Sequence, residues 1–403
     1  MKIEQTYKLL YINKQYRTYD YLKYITLSQN FSLSVIWLCP FLDSEPLPPE
    51  IQDNISFNVL NLKKSALRPW YLLMNFKIGF LIWKNSPNTQ LIISSTSNAW
   101  HSKIAYLMSR ILRKSIAFRK EIWYDVGAKS LLHRIQRGFY EQLTLYIETR
   151  AAGVFYPGVN QKQFLITRNV QSSKLFPFPY LINDCSSKTL DSDIVRGLKK
   201  IKNNQFIFLY MGRIIKLKGL DILLKAFAKI ENQYPNVALF VVGGASAKKN
   251  FSPEDSKEYL NDCMQIAEQK CQNVVFFGKV NSETVQNYYH ISDVFIQPNI
   301  KYLNGRLIGE GWGNVIVEAA SMSLPIIATD RVASAFELVK NEYNGFIVNS
   351  DNIEDNLFNA MKCFVLHRKK MEEYRTNSRK MYEQYNNKQK IINSIHSIIQ
   401  NGK

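Results

Sequence analysis

Short apolar runs recur through the first half of the chain, and longer amphipathic or polar stretches separate them. Their length and their content of β-branched and aromatic residues are typical of buried strands, which we predict at 8–12, 34–38, 56–60, 90–94 and 115–118. Between these runs, the spacing of apolar residues at 20–29 and 103–112 is helical. Strands and helices in this alternating order predict a parallel sheet with helices on its faces.

The second half of the chain begins the same pattern again with a strand at 206–211. The polar run at 183–188 before it has the composition of a linker. A chain of 403 residues exceeds one hydrophobic core of ordinary size. We therefore expect an α/β protein whose parts are a first domain at 1–182, a linker at 183–205, a second domain at 206–370 and C-terminal helices at 371–403.

Two glutamates flank a pair of glycines where a helix is predicted to begin. Gly311 and Gly313 leave backbone N–H groups uncovered, Asn314 is suited to cap the helix, and a helix N-terminus attracts phosphate oxygens. Glu310 and Glu318 accept hydrogen bonds when ionised, so each suits a hydroxyl-rich partner. The pattern predicts a site for a sugar joined to a diphosphate, and the alternative is that both glutamates are ordinary surface and helix-dipole charges.

Two cations follow the predicted strand at 206–211. Arg213 comes directly after Gly212, where an open parallel sheet presents its ligand-binding edge, and a guanidinium binds phosphate oxygens bidentately. Lys218 adds a compact charge five residues later. The pair suits the negative charge that builds up on a departing diphosphate. The alternative is that Arg213 pairs with an acidic neighbour and Lys218 is an ordinary loop side chain.

These segments together resemble glycosyltransferase family 4, the retaining nucleotide-sugar transferases of the GT-B fold. The resemblance rests on the motif at 310–318 with the segments 319–328 and 344–348 after it, and on 212–227, 273–280 and 292–298 before it. It covers residues 206 to 350. It implies two Rossmann-like, doubly wound parallel-sheet domains that face each other across a cleft. The first domain would bind the acceptor, the second the nucleotide sugar, and the last helices would cross back to the first domain.

The resemblance also implies a role for each motif residue. The implied catalytic residues are Glu310, Arg213 and Lys218, and the implied donor-binding residues are Gly212, Lys279, Val280, Gly311, Trp312, Gly313, Asn314 and Glu318. Glu310 would position the donor sugar, Glu318 the ribose, and Lys279 with Val280 the nucleobase. Neither a metal nor a cofactor is implied. Transfer would occur on one face of the sugar, with the leaving phosphate helping to deprotonate the acceptor.

The function implied is transfer of a sugar from a nucleoside-diphosphate sugar, with a UDP-sugar favoured, to a glycan or lipid-linked saccharide. Its setting would be bacterial surface polysaccharide biosynthesis, with a hexosyl group transferred with retention. A nucleotide-sugar epimerase of related fold stays open, as does a non-catalytic, membrane-surface sugar-binding protein. An epimerase needs no acceptor, and a non-catalytic protein has no need of Arg213 and Lys218.

The first domain departs from the family pattern after its first strand. Many family members have a glycine-rich turn there, whereas the segment 13–18 contains no glycine. Arg17 would replace the bare backbone with a side-chain donor, or it is a surface arginine. Glu121 or His101 is the other candidate on the acceptor side, and the sequence does not choose between them.

The charge balance narrows the choice of partners. Lys and Arg number 52 against 33 Asp and Glu, a formal net charge of +19, which implies an anionic partner. Nine of these cations, against two acids, lie at 103–137 among apolar residues at helical intervals. Solvated helix faces and an anionic bilayer surface both explain the stretch. No RNA-recognition or helix-turn-helix signature is present, so we expect no nucleic-acid partner.

Other features of the sequence bear on where the protein acts. No apolar run approaches the roughly 20 residues that cross a bilayer as a helix, and the N-terminus lacks a signal-peptide layout. Five cysteines without a Cys-x-x-Cys pair suit a reducing compartment. The five histidines form no metal-binding pattern. We expect a cytoplasmic protein without metal, either free or peripheral at the inner face of the cell membrane.

Overall fold

The computed structural model describes residues 7–13, 20–38, 49, 55–60, 72–124, 131–246, 252–303 and 305–402. The chain forms two compact units. Unit 1 comprises Met1–Trp123, Ala128–Leu181 and Asn386–Lys403, and unit 2 comprises Tyr124–Gly127 and Ile182–Tyr385. The candidate Arg17 lies outside the described residues.

Unit 1 is built on a sheet of seven parallel strands in the order β3-β2-β1-β4-β5-β6-β7. Its strands are β1 (Lys8–Asn13), β2 (Ser32–Trp37), β3 (Ser56–Val59), β4 (Leu91–Ser94), β5 (Ser115–Arg119), β6 (Gly153–Tyr156) and β7 (Leu175–Pro177). Its helices before the unit boundary are α1 (Tyr21–Asn30), α2 (Leu72–Asn85), α3 (Trp100–Ile111), α4 (Leu131–Arg150) and α5 (Val159–Thr167).

Helices cover both faces of this sheet, which explains why its strands appear in the sequence as continuous apolar runs. Ile78 and Ile82 of α2 and Ala105 of α3 pack on one face, against Leu10 of β1. Tyr24 and Leu27 of α1 belong to the core on the opposite face. The cores on both faces are buried, so central strands such as β1 and β4 present apolar side chains to both faces of the sheet.

Unit 2 contains a sheet of six parallel strands in the order β10-β9-β8-β11-β14-β15 and a separate hairpin of β12 and β13. Its strands are β8 (Phe206–Met211), β9 (Val237–Val242), β10 (Val274–Gly278), β11 (Val294–Gln297), β12 (Tyr302–Leu303), β13 (Arg306–Leu307), β14 (Ile326–Thr329) and β15 (Gly345–Val348). Its helices are α6 (Ser192–Lys202), α7 (Leu220–Gln233), α8 (Pro253–Lys270), α9 (Val285–Ile291), α10 (Asn314–Ser321), α11 (Ala335–Leu338), α12 (Ile353–Leu366) and α13 (Met371–Tyr385).

The last helix, α14 (Lys388–Asn401), belongs to unit 1. Its isoleucine stripe, with Ile391, Ile395 and Ile398, is buried in the same core as Leu9 and Tyr11 of β1. The spacing of these isoleucines explains the packing, since residues three and four apart share one face of a helix.

Two segments differ from the expected domain limits. The helix α13 was expected with the crossing helices at 371–403 but belongs to unit 2. Its Arg379 binds both carboxylate oxygens of Asp184, also in unit 2, at 2.6 and 3.0 Å. The segment expected as a linker contains α6, which the Asp191 carboxylate caps. Lys202 at its end pairs with Asp293 at 2.9 Å, so the helix is fastened to unit 2.

Candidate active site

The predicted motif residues of unit 2 lie at the carboxyl edge of its sheet. Gly212 and Arg213 follow β8, and Lys279 and Val280 follow β10. Strands β8, β11 and β14 are neighbours in the sheet, and the loops after them contact one another. In an open parallel sheet this edge is where ligands bind.

Lys218 is placed by a tight turn that packs against the chain after β11. The 3₁₀ turn Lys216–Lys218 ends at Gly219, whose φ is +66°. A Cβ on Gly219 would lie 2.1 Å from the carbonyl oxygen of Pro298, so only glycine lets the two backbones approach this closely. The turn buries the Lys218 side chain and directs its ammonium group to Glu310, with 3.0 Å between Nζ and Oε2.

Glu310 is held by backbone hydrogen bonds to the segment that follows β14. Its N–H donates to the carbonyl of Arg331 at 2.7 Å, and the Ala333 N–H donates to the Glu310 carbonyl at 3.3 Å. The Lys218 and Glu310 side chains are 8% and 18% exposed. Two distant segments therefore form one largely buried ion pair, in which neither charge is an ordinary surface charge.

The helix α10 begins directly after the Glu310 loop, and its cap differs from the predicted one. Gly313 is the N-cap and Asn314 is the first helical residue, so the prediction of Asn314 as the cap is wrong. Gly313 has a φ of +100°, and a Cβ there would lie 2.6 Å from Cγ1 of Val332. Only glycine adopts this conformation in that space. No side chain caps the helix, so its first turn can bind an anion through backbone N–H groups.

The Trp312 side chain is part of the unit 2 core. Its ring stacks on Tyr385, with centroids 5.2 Å apart and planes at 24°. The Trp312 carbonyl accepts a hydrogen bond from the Ser334 N–H at 3.0 Å. The tryptophan thus fixes the shape of the turn, and any contact with a ligand falls to its backbone.

Arg213 lies half-exposed beside the buried Tyr210, whose hydroxyl donates to the Arg213 carbonyl at 2.9 Å. Burial raises the pKa of Tyr210, and the charges of Arg213 and Glu310 both act on that pKa, in opposite directions. Among the described residues, no carboxylate lies within ion-pair distance of the Arg213 guanidinium. The alternative that Arg213 pairs with an acidic neighbour therefore has no partner among the residues that the structure describes. Sequence reasoning missed Tyr210, because one tyrosine in an apolar strand carries no signal.

Glu318 lies half-buried on α10 and accepts a hydrogen bond from the hydroxyl of Tyr289 in α9 at 2.9 Å. Burial raises the pKa of the Glu318 carboxyl group, while the Tyr289 bond acts in the opposite direction. The Tyr289 hydroxyl holds one oxygen of the Glu318 carboxylate, so the protein fixes the orientation of this group. The carboxylate can then accept a hydrogen bond from a ligand hydroxyl.

The nucleobase candidates lie beside a glycine pair at the end of β9. Gly243 has a φ of +142°, and a Cβ there would lie 1.8 Å from the carbonyl oxygen of Gly212. The next residue, Gly244, faces Lys279, whose Cβ would lie 3.7 Å from a Cβ added to that glycine. Lys279 is exposed and Val280 half-buried. Close backbone packing therefore requires glycine at 243, whereas the contact at Gly244 is of ordinary length. The exposed Lys279 side chain lies beside this pair.

The acceptor-side candidates in unit 1 have different surroundings. His101 is 1% exposed in α3, so a substrate would have to displace packed side chains to reach it. Glu121 is exposed, and its Oε1 accepts a hydrogen bond from the Tyr180 hydroxyl at 3.0 Å. The structure does not bring the two candidates into one described cluster.

The carboxyl edge of the unit 1 sheet holds a buried arginine that the sequence did not single out. Arg119 ends β5, and its guanidinium stacks on Tyr180 at 3.8 Å and lies 5.2 Å from the Phe178 ring centre. Its Nε has no hydrogen-bond partner, and no carboxylate forms an ion pair with it within the part of the chain that the structure describes. The Glu121 and Asp20 carboxylates act on the Arg119 charge only from beyond ion-pair distance. A buried cation without a carboxylate in contact is costly, which makes this group a candidate for binding an anion.

The basic stretch at 103–137 is not one continuous amphipathic surface. Lys103, Arg119 and Lys120 are buried, and Lys120 pairs with Glu148 at 2.9 Å. The Lys103 ammonium group donates to Thr144 Oγ1 at 2.7 Å. Burial lowers the pKa of Lys103 to about 7, with the nearby Lys120 acting in the same direction and Glu148 against it. Sequence spacing could not separate these buried cations from exposed ones.

The described residues have neither a metal-binding cluster nor a membrane-spanning helix. They contain no cluster of three or more His, Cys, Asp or Glu side chains suited to hold a metal ion. They also contain no helix with the length and apolar character needed to span a bilayer.

Known proteins resemble this chain in sequence and in fold. Residues 191–381 match the family model of glycosyl transferases group 1. The capsular polysaccharide biosynthesis glycosyltransferase CapM of Staphylococcus aureus is 32% identical over 149 residues, which are 37% of this chain and 34% of CapM. The match therefore covers about a third of the length of CapM. An uncharacterized glycosyltransferase of Methanocaldococcus jannaschii, MJ1059, is 24% identical over 76% of this chain and 70% of its own length.

The structural likeness extends over nearly the whole chain. The crystal structure of Anabaena Alr3699/HepE in complex with UDP aligns with 97% of this chain and 100% of that chain, with a TM-score of 0.73 and 18% identity. At this identity the likeness concerns the fold. The prediction of two Rossmann-like parallel-sheet domains of the GT-B class is confirmed.

Proposed function

We propose that this chain, whose residues 191–381 match the family model of glycosyl transferases group 1, is a retaining glycosyltransferase of family 4. It transfers a hexosyl group from a nucleoside-diphosphate sugar to a glycan or lipid-linked saccharide. A UDP-sugar is the favoured donor, since the HepE structure of the same fold holds UDP. A role in bacterial surface polysaccharide biosynthesis is in keeping with the likeness to CapM.

The observation that carries the proposal is the Lys218–Glu310 ion pair at the start of α10. Its ammonium group lies 3.0 Å from the carboxylate of the loop that leads into the uncapped helix N-terminus. For a diphosphate bound at that N-terminus, the turn Lys216–Lys218 already holds the Lys218 charge in place. Arg213 lies at the same edge of the sheet. Donors fixed in advance around developing charge lower a reaction barrier without reorganising during the reaction.

The proposed reaction breaks the bond between the anomeric carbon and the β-phosphate oxygen and forms a bond from that carbon to the acceptor oxygen. The acceptor proton passes to the departing phosphate, so no protein base is required. Lys218 and Arg213 stabilise the nucleoside diphosphate as it leaves. Glu310 positions the sugar hydroxyls, Glu318 the ribose, and the backbone of 311–314 the phosphates.

Arg119 is the proposed contact for an acceptor that carries a phosphate or carboxylate. Its guanidinium is held by the Tyr180 ring at 3.8 Å, so it would meet an anion in a fixed orientation. Arg119→Gln should raise the KM for such an acceptor and leave the KM for the donor unchanged. An equal rise for both substrates would contradict this assignment.

Release of free nucleoside diphosphate tests the main proposal. The purified protein is incubated with UDP-sugars singly, with and without a panel of saccharide acceptors, and the nucleoside diphosphate formed is measured. A transferase releases nucleoside diphosphate only when an acceptor is present, which is the expected result. Conversion of one UDP-sugar into another without acceptor would indicate an epimerase. The proposal includes metal independence, so activity should persist in excess EDTA.

A further inference from the structure

The outer faces of α2 and α3 in unit 1 expose an unusual set of large apolar side chains. Both helices bury one face against the sheet and lie side by side, with Gly79 facing the Met108 sulfur. The opposite faces expose Phe76 (75%), Phe80 (57%), Trp83 (56%), Leu107 (59%) and Ile111 (64%). In α2 these residues are spaced by four and three positions, which places them on one side of the helix. Contiguous exposed apolar surface usually marks a binding face.

A basic cavity lies at the end of α3, within the same unit. It has a volume of about 610 Å³. The described residues that line it include five cations and no carboxylate, the cations being Arg110, Arg113, Lys114, Arg150 and Lys174. The cavity is at the amino ends of β5, β6 and β7, which is the edge of the sheet opposite to the one that holds Arg119.

Two of the five cations have partners in the protein. Lys174 donates to the Thr149 carbonyl at 2.7 Å, and the Arg150 guanidinium lies 3.9 Å from the Tyr146 ring centre. Arg150 and Arg110 also lie in the last turns of their helices, where a cation is favoured in any case.

The other three cations of the cavity are Arg110, Arg113 and Lys114. Among the described residues, no carboxylate forms an ion pair with Arg110, Arg113 or Lys114. Arg110 and Arg113 are exposed. Along α3, Arg110 lies between the exposed Leu107 and Ile111. Apolar and cationic side chains therefore share one helix surface, next to a cavity whose described charged lining residues are all cations.

We propose that this surface binds a bilayer that contains anionic phospholipid. The basic cavity holds lipid phosphate groups, and the aromatic side chains of α2 enter the interfacial layer, where amphipathic and aromatic side chains are stabilised. Basic residues at an anionic surface contribute about 1 kcal/mol each, and a basic patch together with apolar insertion gives stable attachment. The proposal goes beyond glycosyl transfer and uses none of the donor-site residues.

Vesicle flotation tests the proposal. The full chain is mixed with phosphatidylcholine vesicles or with vesicles containing 30 mol% phosphatidylglycerol, and the bound fraction is measured at low and high salt. We expect strong binding to the anionic vesicles only, weakened by salt. The double variant R110Q/K114Q should bind about 30-fold more weakly, as the loss of two surface cations implies. The variant F80S/W83S should also bind more weakly, including at high salt.

Matched controls distinguish this surface from the net charge of the protein. The double variant K199Q/K200Q removes two exposed cations from α6 of unit 2 and should bind like the wild type. Equal loss in both double variants would overturn the proposal, and so would equal wild-type binding to neutral vesicles. Tighter binding to a single-stranded RNA oligonucleotide than to anionic vesicles would overturn it as well. Transfer to a soluble acceptor should be unchanged in R110Q/K114Q, so failure of the docking proposal leaves the proposed function intact.

Discussion

Replacing Lys218 with Met removes the charge of the buried ion pair and keeps most of the side-chain volume. At an effective dielectric constant of about 20, unit charges 3.0 Å apart attract by about 5.5 kcal/mol. Desolvation of both groups offsets much of this attraction, so a net coupling of about 1–3 kcal/mol between Lys218 and Glu310 is expected. Removing a fixed donor from a developing anion costs about 2.7–4 kcal/mol, so kcat should fall roughly 10²–10³-fold.

The assay is initial-rate release of nucleoside diphosphate by wild type, Lys218→Met, Glu310→Gln and the double variant. Because both residues act on one bound donor, the double variant should lose less activity than the sum of the single losses. Lys216→Met is the control, since Lys216 lies in the same turn but is exposed. Melting temperatures establish that each variant is folded.

Two results would refute the reasoning. One is a kcat/KM of Lys218→Met within threefold of the wild type with the correct donor. The other is an equal loss for Lys216→Met, which would mean that general positive charge matters and the buried pair does not.

Glu318→Gln should raise the KM for the donor at least about 10-fold, because it removes a charge-assisted hydrogen bond. Tyr289→Phe should shift the acid limb of donor binding to higher pH, since the Glu318 carboxylate loses the bond that opposes the effect of burial on its pKa; an unchanged acid limb would contradict this. Gly313→Ala should lower the free energy of unfolding in urea by about 1–3 kcal/mol, whereas Gly197→Ala, in an open helical position, should be neutral or stabilising. For Lys103, the folded pKa of about 7 lies below the ordinary value of 10.5, so the folded protein holds fewer protons between these limits. The free energy of unfolding should therefore rise with pH across that window by up to about 1.4 kcal/mol per pH unit, and Lys103→Met should abolish this slope.

The sheets of both units were predictable because their central strands are buried on two faces. The strand predicted at 206–211 is β8, Phe206–Met211, with every residue buried. Motif residues were predictable for a related reason, since glycines and charges directly after such strands must lie at one edge of the sheet. The cap of α10 was not predictable, because asparagine is intrinsically the better capping residue and only the close approach of Val332 requires glycine at the preceding position.

Burial of charge was the other feature that spacing could not reveal. Lys103 and Lys120 fit a basic helical pattern, yet Thr144 and Glu148 from α4 satisfy them inside unit 1. Within the segment 371–403, expected to cross back to the first domain, α13 belongs to unit 2, and its Arg379 binds Asp184, which is distant in sequence.

The amino-acid sequence by itself determined the alternation of strands and helices, the two sheets, and the residues at the carboxyl edge of the second sheet, because all of these follow from local periodicity. Tertiary structure decided which charges are buried, which face one another and which helix joins which unit. These properties depend on side chains that come from distant parts of the chain. The exposed aromatic face of α2 belongs to the same class, because its periodicity predicts a helix with two apolar sides and only packing decides which side the sheet covers.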